Sequence, residues 1–393
     1  IEMLVEREGI EAVIIAKAFE QDVLQSLYAR VNALNIYDIK VVTLEQKEKK
    51  LKQVTVEDLL ARHPKDLDLD TISSFVKGKS ILITGAGGSI GSEISRQCQK
   101  FGAGALTLVD HSEFNLYQIG EQIANAQLKL LSITDKESLE AVFDEAKPQI
   151  VIHAAAYKHV PICEDNPEMA VFNNVLGSKN VIDVSIDKGV EKVVVISTDK
   201  AVRPTNVMGA TKRVTELYAN NVEAKGTEIV AVRFGNVLGS SGSVIPKFKQ
   251  QIEAGGPVTV THPEITRYFM LISEACQLVL QTAAIAKGGE LFILDMGEPV
   301  KIADLARQMI WLYGKEDEIE IRFTGLRPGE KLYEELLLDE SEEETRYSSI
   351  FIVKPTPYDI SKLTRDIEVL LAAEDKVRAL QEIVPEYTRN IQV

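Results

Sequence analysis

Ser197-Thr198-Asp199-Lys200 closes an apolar run, Val193–Ile196, and places three proton-handling side chains at the end of one expected strand. A hydroxyl, a carboxyl and an amine at adjacent positions can bond a substrate hydroxyl, donate a proton and accept one. The bland reading of Asp199 and Lys200 is a surface ion pair, which would contribute little. Further along, Met208 and Lys212 are four residues apart, so on a helix they share a face. The Met208 thioether cannot take a proton at useful pH, so a reacting hydroxyl must lose its proton to another group.

A second cluster suits a phosphate. Ser80–Thr84 runs into Gly85-Ala86-Gly87-Gly88-Ser89-Ile90-Gly91, with helical spacing after it over Ser92–Phe101. Between a strand and a helix, such glycines make a dinucleotide cradle. Gly85 permits the tight turn, Gly88 lets a pyrophosphate approach the backbone, and Gly91 lets the helix pack on the strand. Ser89 and Ile90, in the same turn, are read with them as cofactor-binding, and the pyrophosphate then sits at the helix N-terminus. Asp110 ends the next strand, 19 residues after Gly91, with Ser112 just beyond it. A carboxylate there accepts from ribose hydroxyls and repels a 2′-phosphate, so NAD is expected rather than NADP. Ser132, Ile133 and Asp135 close the third strand, where an adenine would lie; their alternative is ordinary loop and helix-cap duty.

These clusters need a scaffold. Ser80–Thr84, Ala105–Val109, Leu128–Ser132, Ile150–Ala154, Lys192–Ser197 and Ile229–Phe234 are short apolar strands with helical segments between them. That alternation predicts an α/β fold, a Rossmann-like doubly wound parallel sheet covered on both faces. The expected organisation is a small α/β module over residues 1–45, a linker over 46–76, the NAD-binding domain over 77–235 and a mainly substrate-binding region over 236–393. In the first module, strands are expected at Ala12–Ile15 and Ile39–Leu44 with a helix over Asp22–Leu34. The linker holds the basic cluster Lys47–Lys52, the Asp-rich stretch Asp66–Asp70 and one short helix. The acidic run Ser341–Glu344 reads as a solvated loop.

The 393 residues carry 44 Lys+Arg against 59 Asp+Glu, a formal charge of −15. So acidic a chain is a poor nucleic-acid binder. It can still hold an anionic small molecule through a few local cations. Cys98, Cys163 and Cys276 are scattered, with no paired spacing and no histidine cluster, which fits a reducing compartment and gives no metal site. No run reaches the ~18 apolar residues of a membrane helix. The chain begins at Ile1 rather than methionine and is read as a fragment.

The Thr-Gly-x-x-Gly-x-x-Gly spacing from Thr84 to Gly91 resembles the extended short-chain dehydrogenase/reductase superfamily. His153-Ala154-Ala155-Ala156 fits it too, with Ala154 and Ala155 small enough for the nicotinamide side of the dinucleotide to lie close. The likeness covers roughly residues 78–335. That superfamily carries Tyr-x-x-x-Lys after the fifth strand; here Lys212 is in place and Met208 occupies the tyrosine position. The one Tyr-x-x-x-Lys present, Tyr358 to Lys362, follows no core strand and is set aside.

The runs Ser197–Asn206, Val232–Gly239 and Arg327-Pro328-Gly329-Glu330-Lys331 resemble the bacterial UDP-N-acetylglucosamine 4,6-dehydratases. The match is to the long, membrane-anchored branch, which carries methionine in the tyrosine slot, and within it to the configuration-retaining, PglF-type enzymes of bacillosamine synthesis for protein glycosylation. The resemblance implies that NAD takes a hydride from sugar C4 and returns it to C6, with water lost across C5 and C6 in between. It implies Asp199 as the acid and Lys200 as the C5 base, its ammonium lowered in pKa by burial or by Lys212. Lys212 would hold the nicotinamide ribose, and Thr198 would bond the 4-hydroxyl. The UDP-sugar would be gripped by Lys158, His159, Asn236, Lys247, Thr261, Arg267, Arg327 and Glu330. It further implies a homo-oligomer, dimer or larger, and a full-length protein on the cytoplasmic side of the bacterial inner membrane. Three competitors stand beside this reading: a C5-inverting dehydratase, a nucleotide-sugar 4-epimerase, which would carry tyrosine at 208 and no acid–base pair, and a non-catalytic NAD-sensing regulator.

Overall fold

The computed structural model describes residues 66–336 and 342–389 without interruption, and before them the segments 12–16, 38–45 and 48–53 with a few single positions. By internal contact the chain divides into two units interleaved in sequence. One comprises Pro64–Asn236, Ile272–Glu298 and Leu326–Val393; the other comprises Ile1–His63, Val237–Leu271 and Pro299–Gly325. The residues after 235 are thus distributed over both.

The first unit is built on a nine-stranded sheet. Its strands are β1 (Ser80–Thr84), β2 (Ala105–Asp110), β3 (Gln127–Leu130), β4 (Ile150–His153), β5 (Lys192–Ile196), β6 (Glu228–Arg233), β7 (Glu290–Leu294), β8 (Glu342–Glu344) and β9 (Ile350–Val353). Their spatial order is β3-β2-β1-β4-β5-β6-β7-β9-β8. From β3 to β7 every pair is parallel; β9 runs antiparallel to β7 and β8 antiparallel to β9. The middle of β1, β4, β5 and β6 is Ile, Leu, Val and Ala, all buried, as parallel strands covered on both faces require. The order reverses between β1 and β4, and the carboxyl ends of those strands flank the crevice where such sheets bind ligands. This is the Rossmann-like fold that the strand–helix alternation predicts.

Helices α1 (Ser89–Lys100), α2 (Glu113–Gly120), α3 (Lys136–Ala146), α4 (Ser178–Asp187), α5 (Val207–Asn221) and α6 (Ile272–Ile285) accompany the sheet. Helix α5 is buried on all sides from Val207 to Ala219, so its polar side chains must find partners inside the protein. That demand shapes the site below.

In the second unit, the strand Ala12–Ile15 runs parallel to Asp38–Glu45, as expected. Ile15, Val31, Ile36 and Ile39 form a small core, against which Trp311 and Leu312 of the helix Ile302–Leu312 pack. The helix expected over 22–34 lies in part outside the described residues; Val23, Ser26, Leu27, Arg30 and Val31 are helical.

Two expectations are corrected. The basic cluster expected as linker is a strand from Glu48 on: Glu48–Gln53 runs antiparallel to Asp38–Glu45, with Thr43 opposite Lys50, while Lys47 lies outside the described residues. Nor is the acidic run Ser341–Glu344 a loop throughout, because Glu342–Glu344 pairs with Ile350–Val353. Both are edge strands. Their pairing is made by the backbone, and charge is favoured at edges because it blocks further pairing, so composition conceals them. The Asp-rich stretch is anchored as well. Asp68 caps the helix Leu69–Val76 through the Thr71 amide (2.9 Å) and accepts from the Tyr347 hydroxyl (2.6 Å).

Cys98, Cys163 and Cys276 are free and buried. Among the described residues no helix is long and apolar enough to cross a membrane, and no cluster of His, Cys, Asp and Glu could hold a metal ion.

Candidate active site

The glycine turn sits at the carboxyl end of β1. Gly85 has φ +66°, open to glycine at no cost. A Cβ on Gly91 would come 2.1 Å from the Gly85 carbonyl oxygen, and one on Gly85 would come 2.7 Å from that of Ala154. Around Gly88 only the Gly85 carbonyl oxygen comes near, at 3.2 Å from a Cβ, so its outer face is open. Gly88 is the N-cap of α1 and provides no side-chain cap, and a helix N-terminus of this kind suits an anion. The residues present fit a dinucleotide pyrophosphate.

Asp110, buried at the end of β2, accepts from the Gly87 amide (2.9 Å, Oδ2) and the Ser112 amide (2.9 Å, Oδ1). It therefore braces the glycine turn as well as facing the ribose side. Ser112 caps α2 through the Asn115 amide. Ser132 Oγ lies 2.8 Å from Thr134 Oγ1, and the Ile133 carbonyl accepts from Asn180 (3.1 Å). Ala154 and Ala155 follow β4, and the Ala154 amide donates to Thr84.

At the end of β5 the chain makes a short 3-10 turn, Asp199–Ala201. The turn is held to β6: the Ser197 amide donates to Val232 and the Asp199 amide to Phe234. Asp199 Oδ1 accepts from the Thr198 hydroxyl (2.9 Å) and from Lys200 Nζ (2.9 Å). Asp199 is 0 % exposed, and its Oδ2 has no hydrogen-bond partner. A fully buried carboxyl oxygen without a donor is costly. It is explained if that oxygen meets a group that the protein binds. Lys200 Nζ also lies 3.4 Å from Asn236 Oδ1 and 3.6 Å from Glu334 Oε1. Thr198, Asp199, Lys200 and Asn236 are thus one constellation.

Helix α5 packs its amino-terminal turn directly on this one, since a Cβ on Gly209 would come 2.1 Å from the Lys200 carbonyl oxygen. Met208 is buried in the hydrophobic core. Lys212, one turn on, is buried too; burial lowers its pKa to about 8, while Glu216 raises it. His153, at the end of β4, bonds Thr84 (2.7 Å) and Ser178 (2.8 Å). Burial and then the Lys212 charge push its pKa down to about 3, so it stays neutral and leaves Lys212 the cation of this floor. Asn174, in a π-helical turn over Phe172–Gly177, ties the Tyr157 amide and carbonyl to Thr211 on α5. Such π turns often mark functional sites. Beneath the strand end, Glu216 takes Ser197 Oγ (2.6 Å) and is clamped by Arg233 (2.7 and 2.6 Å).

The remaining candidates fall into two groups. Lys158 and His159 follow β4, and burial lowers the pKa of each, with Lys158 adding to the effect on His159. The Arg327–Lys331 motif docks on the 202–206 turn: the Gly329 carbonyl accepts from Thr205 (2.9 Å) and Asn206 (3.0 Å), and Lys331 Nζ donates to Val202 (2.8 Å). Arg327 is exposed, and its amide donates to Glu330 (3.1 Å). Lys247, on the helix Val244–Glu253, lies in the other unit with Thr261 and Arg267. Tyr358 lies just before the helix Ile360–Ala372 that carries Lys362, and the pair is closed by Asp366.

Sequence reasoning missed Glu216, Asn174 and Glu334. Their signal is weak: each is a polar residue amid a buried or motif-flanking stretch, meaningful only once its partner is known.

A family model described as polysaccharide biosynthesis protein matches residues 81–355. The capsular polysaccharide biosynthesis protein CapD of Staphylococcus aureus is 48% identical over 358 residues, covering 88% of this chain and 59% of that protein. The chain therefore spans little more than half of that relative's length. A UDP-N-acetylglucosamine 4,6-dehydratase (inverting) of Campylobacter jejuni is 32% identical, covering 71% of this chain and 83% of its own. A UDP-glucose 4-epimerase of Rickettsia rickettsii is 33% identical, covering 80% and 93%. Among solved structures, Pen from Bacillus thuringiensis superposes with a TM-score of 0.66 at 37% identity, covering 72% of this chain and 89% of that one. By that family model and these relatives, the chain belongs to the polysaccharide biosynthesis protein family, on the extended short-chain dehydrogenase/reductase fold.

Proposed function

We propose that this chain catalyses the NAD-dependent 4,6-dehydration of UDP-N-acetylglucosamine. The product is the UDP-4-keto-6-deoxy-N-acetylhexosamine, made with retention at C5 in the PglF manner as the first step toward bacillosamine-type sugars for protein glycosylation. The supporting observation is Asp199, bonded at one oxygen to both Thr198 and Lys200 and holding the other buried without a partner. An epimerase needs no acid and base beside each other at C5 and C6, and an NAD sensor needs neither; with relatives described as dehydratases and as epimerases, the residues at 198–200 are the discriminating feature.

The Gly85–Gly91 turn, Asp110 and Lys212 would hold NAD, which would supply the hydride acceptor and donor. The protein's part is proton management. Thr198 bonds the 4-hydroxyl and passes its proton to Asp199 along the 2.9 Å bond. Lys200 Nζ takes the C5 proton, its electrons passing toward the 4-ketone. Asp199 gives its proton to O6, the C6–O bond breaks and water leaves. Lys200, whose amine protons exchange with solvent, gives a proton to C5 on the face from which it took one, which is retention. Each proton the protein takes it gives up within the turnover, the 4-hydroxyl proton to the departing water and the other to C5, so no metal or outside acid is required by the balance. The full-length protein acts at the cytoplasmic face of the inner membrane, as a homo-oligomer.

Incubation with UDP-N-acetylglucosamine in D₂O should give a product lighter by one water, with a 4-ketone and deuterium at C5. A product epimerised at C4 with no water lost would replace this reading with the epimerase. Absence of any reaction with NAD added would favour the sensor.

Met208 is expected to act as packing alone. Met208→Ala should cost about 2–5 kcal/mol of stability, as truncation of a buried methionine does. Turnover per folded molecule, measured well below the melting range, should stay close to wild type. A large fall in turnover would give the methionine a chemical role.

A further inference from the structure

The residue that faces Lys200 from across the site is Glu334, at the far end of the Arg327–Lys331 motif. Its side chain is 2 % exposed and its Oε1 lies 3.6 Å from Lys200 Nζ. A buried carboxylate is retained only with a partner. The segment that carries it is fixed at two points, through Gly329 on Thr205 and Asn206 and through Lys331 on Val202. The next residue, Glu335, turns to the exposed Arg203 instead. Glu334 is therefore presented to Lys200 by a strap tied to the 202–206 turn, as a second carboxylate beside Asp199.

We propose that Glu334 is a positioning residue for Lys200, holding its amine at the reacting carbon and offsetting the charge that forms on it. This rests on the dehydratase reading, and it supplies something that reading lacks. When Asp199 holds the proton destined for O6 it is neutral. At that moment Lys200 must become a cation as its lone pair takes the C5 proton and the C5–H electrons move toward the ketone. Asp199 can no longer offset that charge. Glu334 can, from 3.6 Å and with little water between. The role is confined to the proton-transfer half of the reaction, and the 4-ketone forms without it.

The test compares Glu334→Gln, Glu334→Asp and the neighbouring control Glu335→Gln with wild type, using UDP-N-acetylglucosamine in D₂O. Reductive trapping of ketones by borohydride separates the 4-keto-6-hydroxy sugar from the final product. Glu334→Gln should form the 4-ketone at an undiminished rate, while deuterium entry at C5 and loss of water slow by about tenfold to a hundredfold, within the range a positioned proton-transfer group contributes. Glu334→Asp should recover part of the loss, and Glu335→Gln none of the defect. A fall in both steps together, or no fall in either, overturns the proposal. A second readout needs no substrate: reductive methylation of Lys200, followed by mass spectrometry of its peptide, should quicken severalfold in Glu334→Gln. An unchanged labelling rate also overturns the proposal. If wild type is inert on this sugar, the dehydratase reading falls, while the labelling still decides whether Glu334 governs Lys200.

Discussion

Lys200→Ala is expected to abolish most water loss while leaving the 4-ketone able to form. The fall should be about 10²- to 10⁴-fold, the contribution of a positioned general base. Lys200 is the residue nearest to Asp199 and Asn236 at the strand end, and among the described residues its amine is the one bonded to Asp199. Without it no group at the turn can accept the C5 proton. In D₂O the variant should show almost no deuterium at C5, and a 4-keto-6-hydroxy sugar should be trapped by borohydride. Asp199→Asn should stall at an earlier or equal point, since the amide neither receives the 4-hydroxyl proton nor gives one to O6. The two variants thus separate base from acid. Wild-type deuterium entry in Lys200→Ala would remove the lysine from the mechanism and move the base elsewhere, with Lys212 the nearest alternative cation along the floor of the site.

Much of this site was legible because it is local. The glycine turn lies within seven residues between a strand and a helix, and Thr198, Asp199 and Lys200 are consecutive, so each reads as a unit before any fold is known. The parallel strands were legible because burial on both faces leaves unbroken Val, Ile and Leu runs. What escaped has the opposite character. Glu334 reaches Lys200 across a separation that no periodicity encodes, and Glu216 and Arg233 look like ordinary surface charges until both are found at 0 % exposure. The charged edge strands Glu48–Gln53 and Glu342–Glu344 escaped because their partners recognise backbone and not side chains. The spacing of Asp110 suggests a ribose ligand, and its bonds to the Gly87 and Ser112 amides show a bracing role that spacing alone does not carry.

The largest stability effect is expected at Glu216, in the layer that supports the acid–base turn. Its carboxylate meets Arg233 at 2.6 Å, with both side chains at 0 % exposure, and Arg213 at 3.4 Å. It also takes the Ser197 hydroxyl, one residue before Thr198. Glu216→Ala strands the Arg233 guanidinium in a dry interior, while Arg213 keeps Glu386 and Thr356, and breaking such a pair from one side costs about 3–5 kcal/mol. That is large against the 5–15 kcal/mol typical of whole domains. The midpoint of urea unfolding should fall accordingly with the slope unchanged. Burial alone would raise the Glu216 pKa, but Arg233, Arg213 and the Ser197 hydroxyl outweigh it and hold the carboxyl below its ordinary value. A depressed carboxyl gives stability that is complete above the unfolded-state value of about 4.3 and is lost as pH falls through the native one. The gap between wild type and Glu216→Ala should therefore be constant near neutrality and narrow only in acid. Equal midpoints at neutral pH would mean that Arg233 finds another partner and that the turn does not rest on this pair. Glu216→Gln separates the two contributions. It keeps the bond to Ser197 while removing the charge, so if Thr198–Lys200 is positioned by that bond, the glutamine variant should lose stability yet retain the C5 deuterium exchange of the folded enzyme.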